Sequence, residues 1–306
     1  MQATQKPIVV VGSVTMDMVT RTPQIPRIGQ TVIGTGFETT PGGKGANQGV
    51  AAARLGYPVQ LVGKVGEDAY GAALIANLNA AGVNAYAMET TAGPSGLAPI
   101  FLSEAGENSI VVVPGANGKM DCAAVNRHAA LIRSAGMALC QLEIPMAAIS
   151  HTLALCAEAG VPVMLDPAPA APLPDAIWSQ VAWFTPNETE AAFYLNGESK
   201  PEDAAQRLLA KGLHGVVLKR GAEGAYVAVA GGKAAWIRAF PVDAVNTVGA
   251  GDCFNGAFAV ALLENKDPWE AARFASAAAA ISVTRPGAQE SMPTRAEVDV
   301  FLIQHK

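Results

Sequence analysis

Short apolar runs alternate with longer stretches of helical spacing through most of the chain. Six apolar runs predict buried strands, at residues 8–12, 59–65, 137–142, 161–165, 181–184 and 215–218. Five stretches between them predict helices, at residues 46–55, 70–81, 123–134, 146–159 and 188–195. This alternation predicts an α/β fold in which a mainly parallel sheet is sandwiched by helices.

Two stretches break the alternation, at residues 18–37 and 96–113. In the first, apolar residues lie among Pro and Gly, and in the second a turn-like EAGEN segment separates two apolar runs. We expect them to form a small antiparallel β lid that stands apart from the main sheet. It would serve as a flap over a site or as a dimer contact, and an ordinary edge hairpin is the alternative.

The C-terminal third changes pattern again. A β meander is predicted at residues 225–229, 234–237 and 240–242, followed by helices at residues 251–263, 268–284 and 295–303. The chain has no internal repeat and no Ser/Gly-rich linker, so residues 1–306 are predicted to form a single domain.

Composition narrows the classes of protein. Half of the residues are hydrophobic and 15% are charged, which is enough apolar sequence for a large core. A net charge of −5 without a Lys/Arg cluster disfavours a nucleic-acid partner. The four cysteines lack metal-ligand spacing and are expected to be small buried residues of a reducing compartment. The polar start and the short apolar runs predict a cytoplasmic protein without a membrane span.

The segment NTVGAGDCFNG at residues 246–256 leads into a predicted helix. Its glycines leave backbone N–H groups free to converge on an anion at the start of that helix. Asp252 lies in the first turn, where a carboxylate beside an anion suggests a general base. Taken alone, the pattern favours the other interpretation, an acidic residue that complements the helix dipole or caps the helix.

A second glycine-rich segment, PGGKGANQ at residues 41–48, also precedes a helix. Lys44 and Asn47 offer donors to ligand oxygens, and a glycine-rich turn with a solvated lysine is the alternative. The acids Asp17, Glu143 and Asp166 follow predicted strands, so we expect them at the carboxyl edge of the sheet, where ligands bind. Each acid alone is typical of a turn, but together they suit the hydroxyls of a sugar.

The segment NETE at residues 187–190 opens another predicted helix. The spacing of Asn187 and Glu190 is that of a capping box, and on spacing alone this structural interpretation is favoured. Two other nucleotide-binding patterns are absent: the sequence contains no GxxxxGK[ST], and no GxGxxG follows the first strand.

Together these segments resemble the ribokinase-like (PfkB) carbohydrate kinases over nearly the whole chain. The resemblance rests on GGKGANQ at residues 42–48, TVGAGD at 247–252 with Phe254 and Gly256, NETE at 187–190 and VTRPGA at 283–288, in the family's order. It implies ATP-dependent phosphoryl transfer to the primary (5-) hydroxyl of a sugar, with D-ribose as the expected substrate. The alternatives are a kinase for 2-deoxyribose, another small sugar or a nucleoside, and a non-catalytic sugar or nucleotide sensor.

The resemblance also implies residue roles. Asp252 would be the catalytic base, and Gly249, Ala250 and Gly251 the anion hole. The sugar would be held by Thr15, Asp17, Gly42, Gly43, Lys44, Asn47, Glu143 and Asp252. ATP and Mg²⁺ would be placed by Asn187 and Glu190, and the wall around ATP would comprise Lys219, Arg220, Gly221, Ala222, Glu223, Gly224, Gly251 and Ser276. A K⁺ loop would be formed by Asn246, Val248, Ser282, Arg285, Gly287 and Ser291. A homodimer joined through the lid is implied as well.

Two positions depart from the family pattern. Thr15 stands where an Asn would lie two positions before the sugar-binding Asp17, and Asn246 stands where the cation loop usually begins with Asp. The shorter Thr side chain predicts a longer, water-mediated or absent contact with the sugar. Loss of one negative charge at position 246 predicts weaker K⁺ binding with activation retained.

Overall fold

The computed structural model describes residues 5–305. Its strands are β1 Ile8–Val11, β2 Thr15–Thr22, β3 Gly36–Gly42, β4 Val59–Gly66, β5 Val83–Asn84, β6 Met88–Thr91, β7 Gly96–Ser103, β8 Asn108–Ile110, β9 Met137–Gln141, β10 Val163–Asp166, β11 Trp183–Phe184, β12 Gly215–Lys219, β13 Gly224–Val229 and β14 Ala234–Arg238. Its helices are α1 Lys44–Arg54, α2 Ala69–Ala80, α3 Cys122–Arg127, α4 Ala129–Arg133, α5 Met146–Ala159, α6 Asp175–Trp178, α7 Glu188–Leu195, α8 Pro201–Leu209, α9 Ala250–Leu263, α10 Pro268–Val283 and α11 Arg295–Gln304. None of the helices in this part of the chain is long and apolar enough to cross a membrane.

The main sheet has the strand order β14-β13-β12-β11-β10-β9-β1-β4-β5, with β6 also paired to β4. Strands β12, β11, β10, β9, β1 and β4 run parallel, and β13 and β14 add an antiparallel edge. The predicted α/β class with a mainly parallel sheet is therefore confirmed. All six predicted strands are present, although the one predicted at 181–184 is reduced to Trp183–Phe184.

Both faces of the sheet are covered, which explains why its strands read as continuous apolar runs. In β1, Ile8 and Val10 face one core, and Val9 and Val11 face the other. The first core is shared with α1, α9 and α10, and the second with α5 and α8. A fully buried strand has no polar side, so periodicity alone could not have assigned its two faces.

Helices α1 and α9 pack unusually closely. A Cβ atom at Gly256 of α9 would lie 2.6 Å from the carbonyl oxygen of Gln48 on α1, so no larger side chain fits there. This approach brings the first turn of α9 against Asn47 and Gln48, and it is the packing contact on which the site depends.

Strands β2, β3, β7 and β8 form a separate sheet of order β3-β2-β7-β8. The hairpin predicted around residues 104–108 is present as the antiparallel pair β7–β8. The expectation of an antiparallel piece is wrong for the central pair, because β2 and β7 run parallel. They run parallel because the chain passes through α1, β4 and α2 between them instead of turning back directly.

Three other predictions need correction. Residues 240–242 form no strand, because Phe240 leaves the sheet and packs against Phe301 of α11. The helix predicted at 123–134 is divided into α3 and α4 at His128. Cys140, Cys156 and Cys253 are buried as expected, but Cys122 is exposed because it lies at the first turn of α3.

Candidate active site

A cavity of about 660 Å³ opens beyond the carboxyl ends of β10, β11 and β12 and the start of α9. Asp166 ends β10, Asn187 follows β11 and Lys219 ends β12, and all three side chains line the cavity. Asp252 and the GAG turn before it close the opposite side. The cavity therefore lies at the sheet edge where parallel α/β folds bind ligands.

The turn before α9 has the geometry of an anion site. Gly249 has φ 75°, a left-handed conformation that favours glycine, and it forms the N-cap of α9. No side chain in the described chain caps this helix. The first-turn N–H groups of Ala250, Gly251 and Asp252 have no intrahelical acceptor, and Ala250 alone among them bonds back, to Thr247 O at 3.2 Å. An anion would be stabilised there by the remaining donors and the helix dipole.

Asp252 is buried at the base of this turn, and each of its carboxylate oxygens accepts one amide hydrogen bond. Asn47 Nδ2 donates to Oδ2 at 3.0 Å, and Gln48 Nε2 donates to Oδ1 at 3.1 Å. Burial raises the pKa of the Asp252 carboxyl above its ordinary value, while Lys44 and the two amides partly oppose that rise. A buried carboxylate with a raised pKa beside an anion site is suited to accept a proton.

Asp166 is the second buried carboxylate, and it is already paired. Lys219 Nζ donates to Oδ1 at 2.9 Å, and Gln48 Nε2 donates to Oδ2 at 2.9 Å. Gln48 is held in turn by Gln141, whose Nε2 donates to Gln48 Oε1 at 2.7 Å. The predicted group of sugar-facing acids at the sheet edge therefore does not include a free Asp166.

Glu143 follows β9, as predicted, and reaches across to the glycine-rich segment before α1. Its Oε2 accepts from the backbone N–H of Lys44 at 3.0 Å and from Ser13 Oγ at 2.5 Å. Ser13 also accepts from the backbone N–H of Gly45 at 3.3 Å. Sequence reasoning missed Ser13, which ties β1, α1 and Glu143 together, because its only signal was its position after a strand.

Asp17 does not lie after the first strand at the edge of the main sheet. It is the third residue of β2 in the smaller sheet, and its carboxylate packs directly on Gly42. Thr15 Oγ1 donates to Asp17 Oδ1 at 2.9 Å. Burial raises the pKa of Asp17 to about 6, with Glu143 and Asp252 adding to the rise and the Thr15 hydrogen bond opposing it.

Lys44 is the cation among these acids and lines the cavity. Burial alone would lower the pKa of its ammonium group, but Asp252, Asp166 and Glu143 together raise it above the ordinary value. Lys44 is therefore charged at neutral pH, and its position among acids at the cavity wall favours a ligand-facing role over a solvated lysine in a glycine turn.

Asn187 and Glu190 form the capping box that their spacing predicts. Asn187 Oδ1 accepts from Glu190 N at 2.8 Å, and Glu190 Oε2 accepts from Asn187 N at 2.7 Å. Asn187 Nδ2 also donates to Glu190 Oε1 at 3.0 Å. Burial raises the pKa of Glu190. Both residues line the cavity as well, so the structural and the ligand-facing interpretations are compatible.

The predicted nucleotide wall is present only in part. The cavity is lined by Lys219, Gly221, Ala222, Gly224, Gly251 and Ser276. Arg220 and Glu223 point elsewhere: Arg220 pairs with Glu188 at 2.5 Å and with Glu223 at 3.1 Å. Sequence reasoning missed an apolar wall formed by Phe240, Pro241, Val242, Ala279, Ala280 and Val283. The run of small residues in α10 was the available signal.

The predicted cation loop is assembled from two segments. The N–H groups of Val245 and Asn246 both donate to Val283 O, at 2.7 and 3.1 Å. Asn246 Oδ1 accepts from Val248 N at 2.8 Å. The hydroxyls of Ser282 and Ser291 donate to backbone carbonyls, and Gly287 has a left-handed φ of 82°. Arg285 turns outward to Glu297 at 2.6 Å.

These features correspond to a known family. The family model described as pfkB family carbohydrate kinase matches residues 5–295. The chain belongs to the PfkB family of carbohydrate kinases. A ribokinase of Bacillus subtilis is 46% identical over 296 residues, which cover 96% of this chain and 99% of that protein. A deoxyribokinase of Salmonella typhi is 35% identical over 301 residues, covering 96% and 98%.

Solved structures agree with this assignment. The structure of Arabidopsis thaliana ribokinase complexed with ribose and ATP is similar to this chain with a TM-score of 0.91. It is 35% identical, and the match covers 97% of this chain and 98% of that one. The fold, the order of motifs and the match over nearly the whole length are thus consistent with one another.

Proposed function

We propose that this PfkB-family chain is an ATP-dependent ribokinase that transfers the γ-phosphate of ATP to the primary (5-) hydroxyl of D-ribose. The observation that carries the proposal is the buried Asp252 carboxylate at the start of α9, beside open backbone N–H donors and facing the sugar-binding segments of β2 and α1. The choice of ribose as the substrate is supported by the ribokinases among the relatives and by the ribokinase structure complexed with ribose and ATP.

In this mechanism Asp252 accepts the proton of the 5-hydroxyl as that oxygen attacks the γ-phosphorus. The new P–O bond forms while the bond from phosphorus to the bridging β-phosphate oxygen breaks, and ADP leaves. The N–H groups of Gly249 and Gly251 stabilise charge on the transferred group, and the N–H group of Ala250 adds to them when it gives up its bond to Thr247 O. Phosphoryl transfer depends mainly on alignment and charge stabilisation, which a preformed turn supplies without reorganisation.

The sugar site is composed of Asp17, Gly42, Gly43, Lys44, Asn47 and Glu143, with Thr15 behind Asp17. The carboxyl oxygens of Asp17 and Glu143 accept hydrogen bonds from sugar hydroxyls, and the side chains of Lys44 and Asn47 donate to the sugar oxygens. Asp17 carries its hydrogen bond from Thr15 on one oxygen, which leaves the other oxygen for the substrate.

Asn187 and Glu190 would hold a hydrated Mg²⁺ at the nucleotide phosphates. Both oxygens of the Glu190 carboxylate already accept N–H bonds from Asn187, so contact through water fits this pair better than direct coordination. When bound, the ion supplies charge neutralisation on the phosphates.

The loop of Asn246, Val248, Ser282, Arg285, Gly287 and Ser291 would bind K⁺. The family resemblance implies that the ion is bound mainly by backbone carbonyl oxygens of this loop, which fits a hard monovalent cation. Asn246 keeps the side-chain oxygen that caps Val248 but lacks the charge of Asp, so we expect weaker affinity.

The smaller sheet would act as the lid and as the dimer contact. Several apolar side chains in it and beside it are exposed: Ile33 in the loop before β3 is 83% exposed and Phe37 in β3 is 64% exposed. Ile110 and Val111, at the other edge of the sheet, are exposed as well. We infer that a second copy of the chain covers these residues in a homodimer.

A kinase for 2-deoxyribose is the second candidate. The observation in its favour is Thr15, whose hydroxyl donates its one proton to Asp17 and can therefore only accept from a sugar hydroxyl, whereas an Asn amide could also donate to it. The similarity to a deoxyribokinase supports the same candidate. The sensor alternative is disfavoured because Asp252 and the GAG turn are intact.

The test is ADP release measured by a coupled assay with ATP and a panel of D-ribose, 2-deoxyribose, D-fructose and adenosine. We expect the highest kcat/KM with D-ribose, and ³¹P NMR should identify the product as the 5-phosphate. Acceptor-dependent ADP release with none of these compounds would contradict the kinase proposal and favour the sensor.

A further inference from the structure

A row of three amide side chains connects helix α2 with the catalytic carboxylate. Asn77 Nδ2 on α2 donates to Gln289 Oε1 at 2.7 Å. Gln289 Nε2 donates to Asn47 Oδ1 at 3.0 Å, and Asn47 Nδ2 donates to Asp252 Oδ2 at 3.0 Å. Gln289 and Asn47 are each 6% exposed, so water cannot readily replace their partners.

The row has one direction in which every member is paired. An ionised carboxylate only accepts hydrogen bonds, so Asn47 donates to Asp252 only when its NH₂ group is turned toward it. The Asn47 oxygen then faces away and needs a donor, which Gln289 provides with its own NH₂ group. The oxygen of Gln289 needs a donor in turn, and Asn77 supplies it from the half-buried face of α2.

Gln289 is also fixed through its backbone. Arg54 Nη1 on α1 donates to Gln289 O at 3.0 Å. Gln289 lies in the loop after α10. Its main chain is bonded to α1, and its amide group is bonded to both α1 and α2. Neither the motifs nor the family resemblance assigned it a role.

We propose that Gln289 is a positioning residue for the phosphoryl transfer, which holds the Asn47 amide with its NH₂ group toward Asp252. This inference rests on the proposed function, because it concerns the base of that reaction. If the Asn47 amide turned over, its oxygen would face the Asp252 carboxylate and one hydrogen bond to the base would be lost. The base would then be held less well at the attacking hydroxyl.

Two substitutions with side chains of nearly equal size distinguish a role of Gln289 in orienting the Asn47 amide from a role in packing. Gln289→Glu still accepts from Asn77 when ionised, but it cannot donate to Asn47 and instead favours the turned-over amide. Gln289→Met removes both hydrogen bonds without offering Asn47 an opposing acceptor, so Asn47 can continue to donate to Asp252. Gln206→Glu on the exposed face of α8 is the control for an added negative charge.

We expect Gln289→Glu to lower kcat with D-ribose about 10- to 100-fold at pH 8.5, the fold-change that corresponds to one hydrogen bond to a charged group. KM for ATP should stay unchanged, and Gln289→Met should lower kcat by less than Gln289→Glu, because Asn47 loses its donor but meets no opposing acceptor. Thermal unfolding should show all variants folded at the assay temperature.

Equal kcat for the Gln289→Glu and Gln289→Met variants, or wild-type kcat for the Gln289→Glu variant, would overturn the inference. A kcat that is lower for Gln289→Met than for Gln289→Glu would also overturn the inference, because it would indicate that Gln289 acts by packing. Absence of ribose-dependent ADP release in the unsubstituted protein would instead refute the proposed function, so the two failures are distinguishable.

Discussion

Replacement of Asp17 by Asn should increase stability at neutral pH while it damages sugar binding. Asp17 is partly buried in β2 beside Gly42 and near Glu143 and Asp252, and these surroundings raise its pKa from 3.8 to about 6. The folded protein therefore holds the ionised carboxylate at a cost. An amide of the same size removes that cost but cannot accept on two oxygens.

The size of the pKa change gives the expected gain in the free energy of unfolding. A rise from 3.8 to about 6, at 1.36 kcal/mol per pH unit, corresponds to about 3 kcal/mol above pH 6. The sign follows from the raised folded pKa: the contribution of Asp17 to stability is greatest below pH 3.8 and is lost as the pH rises through 6. Asp17→Asn should thus gain up to about 3 kcal/mol at pH 8 and about 1 kcal/mol at pH 4.5.

Urea unfolding at pH 8 and pH 4.5 measures this difference, and kcat/KM for D-ribose measures the functional loss. We expect kcat/KM to fall by about 100-fold or more, because a buried hydroxyl of the substrate is left with a poorer partner. Wild-type KM for ribose should rise as the pH falls through 6, since protonated Asp17 accepts less well. A variant with unchanged or lower stability at pH 8 would show that Asp17 is not strained by burial. Unchanged kcat/KM would remove it from the sugar site.

Three further predictions follow from the same site. Thr15→Asn should shift the ratio of kcat/KM for ribose over 2-deoxyribose toward ribose, and a ratio that does not move would show that position 15 has no role in substrate choice. KCl, but not NaCl, should activate the enzyme, and Asn246→Asp should lower the K⁺ concentration needed for half-activation; full activity without K⁺ would exclude activation. Light scattering at micromolar concentration should show a dimer that Ile33→Lys with Phe37→Lys converts to a monomer; a monomeric parent protein would refute the dimer.

Much of the fold could be predicted from the sequence because parallel strands buried on both faces leave strong apolar runs. The runs at residues 8–12 and 137–142 correspond to β1 and β9 within one residue at each end. Helix α8 was missed, although Pro201 at its first position and Glu202 after it are typical of a helix start. The strand predicted at 240–242 is absent because packing of Phe240 on α11 overrides its local preference.

The candidate site was less predictable, because its geometry depends on contacts between distant parts of the chain. Motifs located Asp252, Lys44 and Glu143, since glycine turns and strand ends leave local signals. The amide pairs that hold Asp252 join α1, α9 and the loop after α10, and no local pattern reports such pairings. Asp17 was identified, but its place in the smaller sheet depended on the pairing of β2 with β7.

Replacement of Asp252 by Asn tests the central claim most directly. Steady-state ADP release with saturating ATP and D-ribose should fall by about 10²–10⁴-fold in kcat, the usual contribution of a positioned base, while the fold and ATP binding remain. Asp175→Asn, which removes an exposed acid from the first turn of α6, should leave kcat unchanged. Near wild-type turnover by Asp252→Asn would show that Asp252 merely complements the dipole of α9, and would contradict the mechanism proposed for this chain.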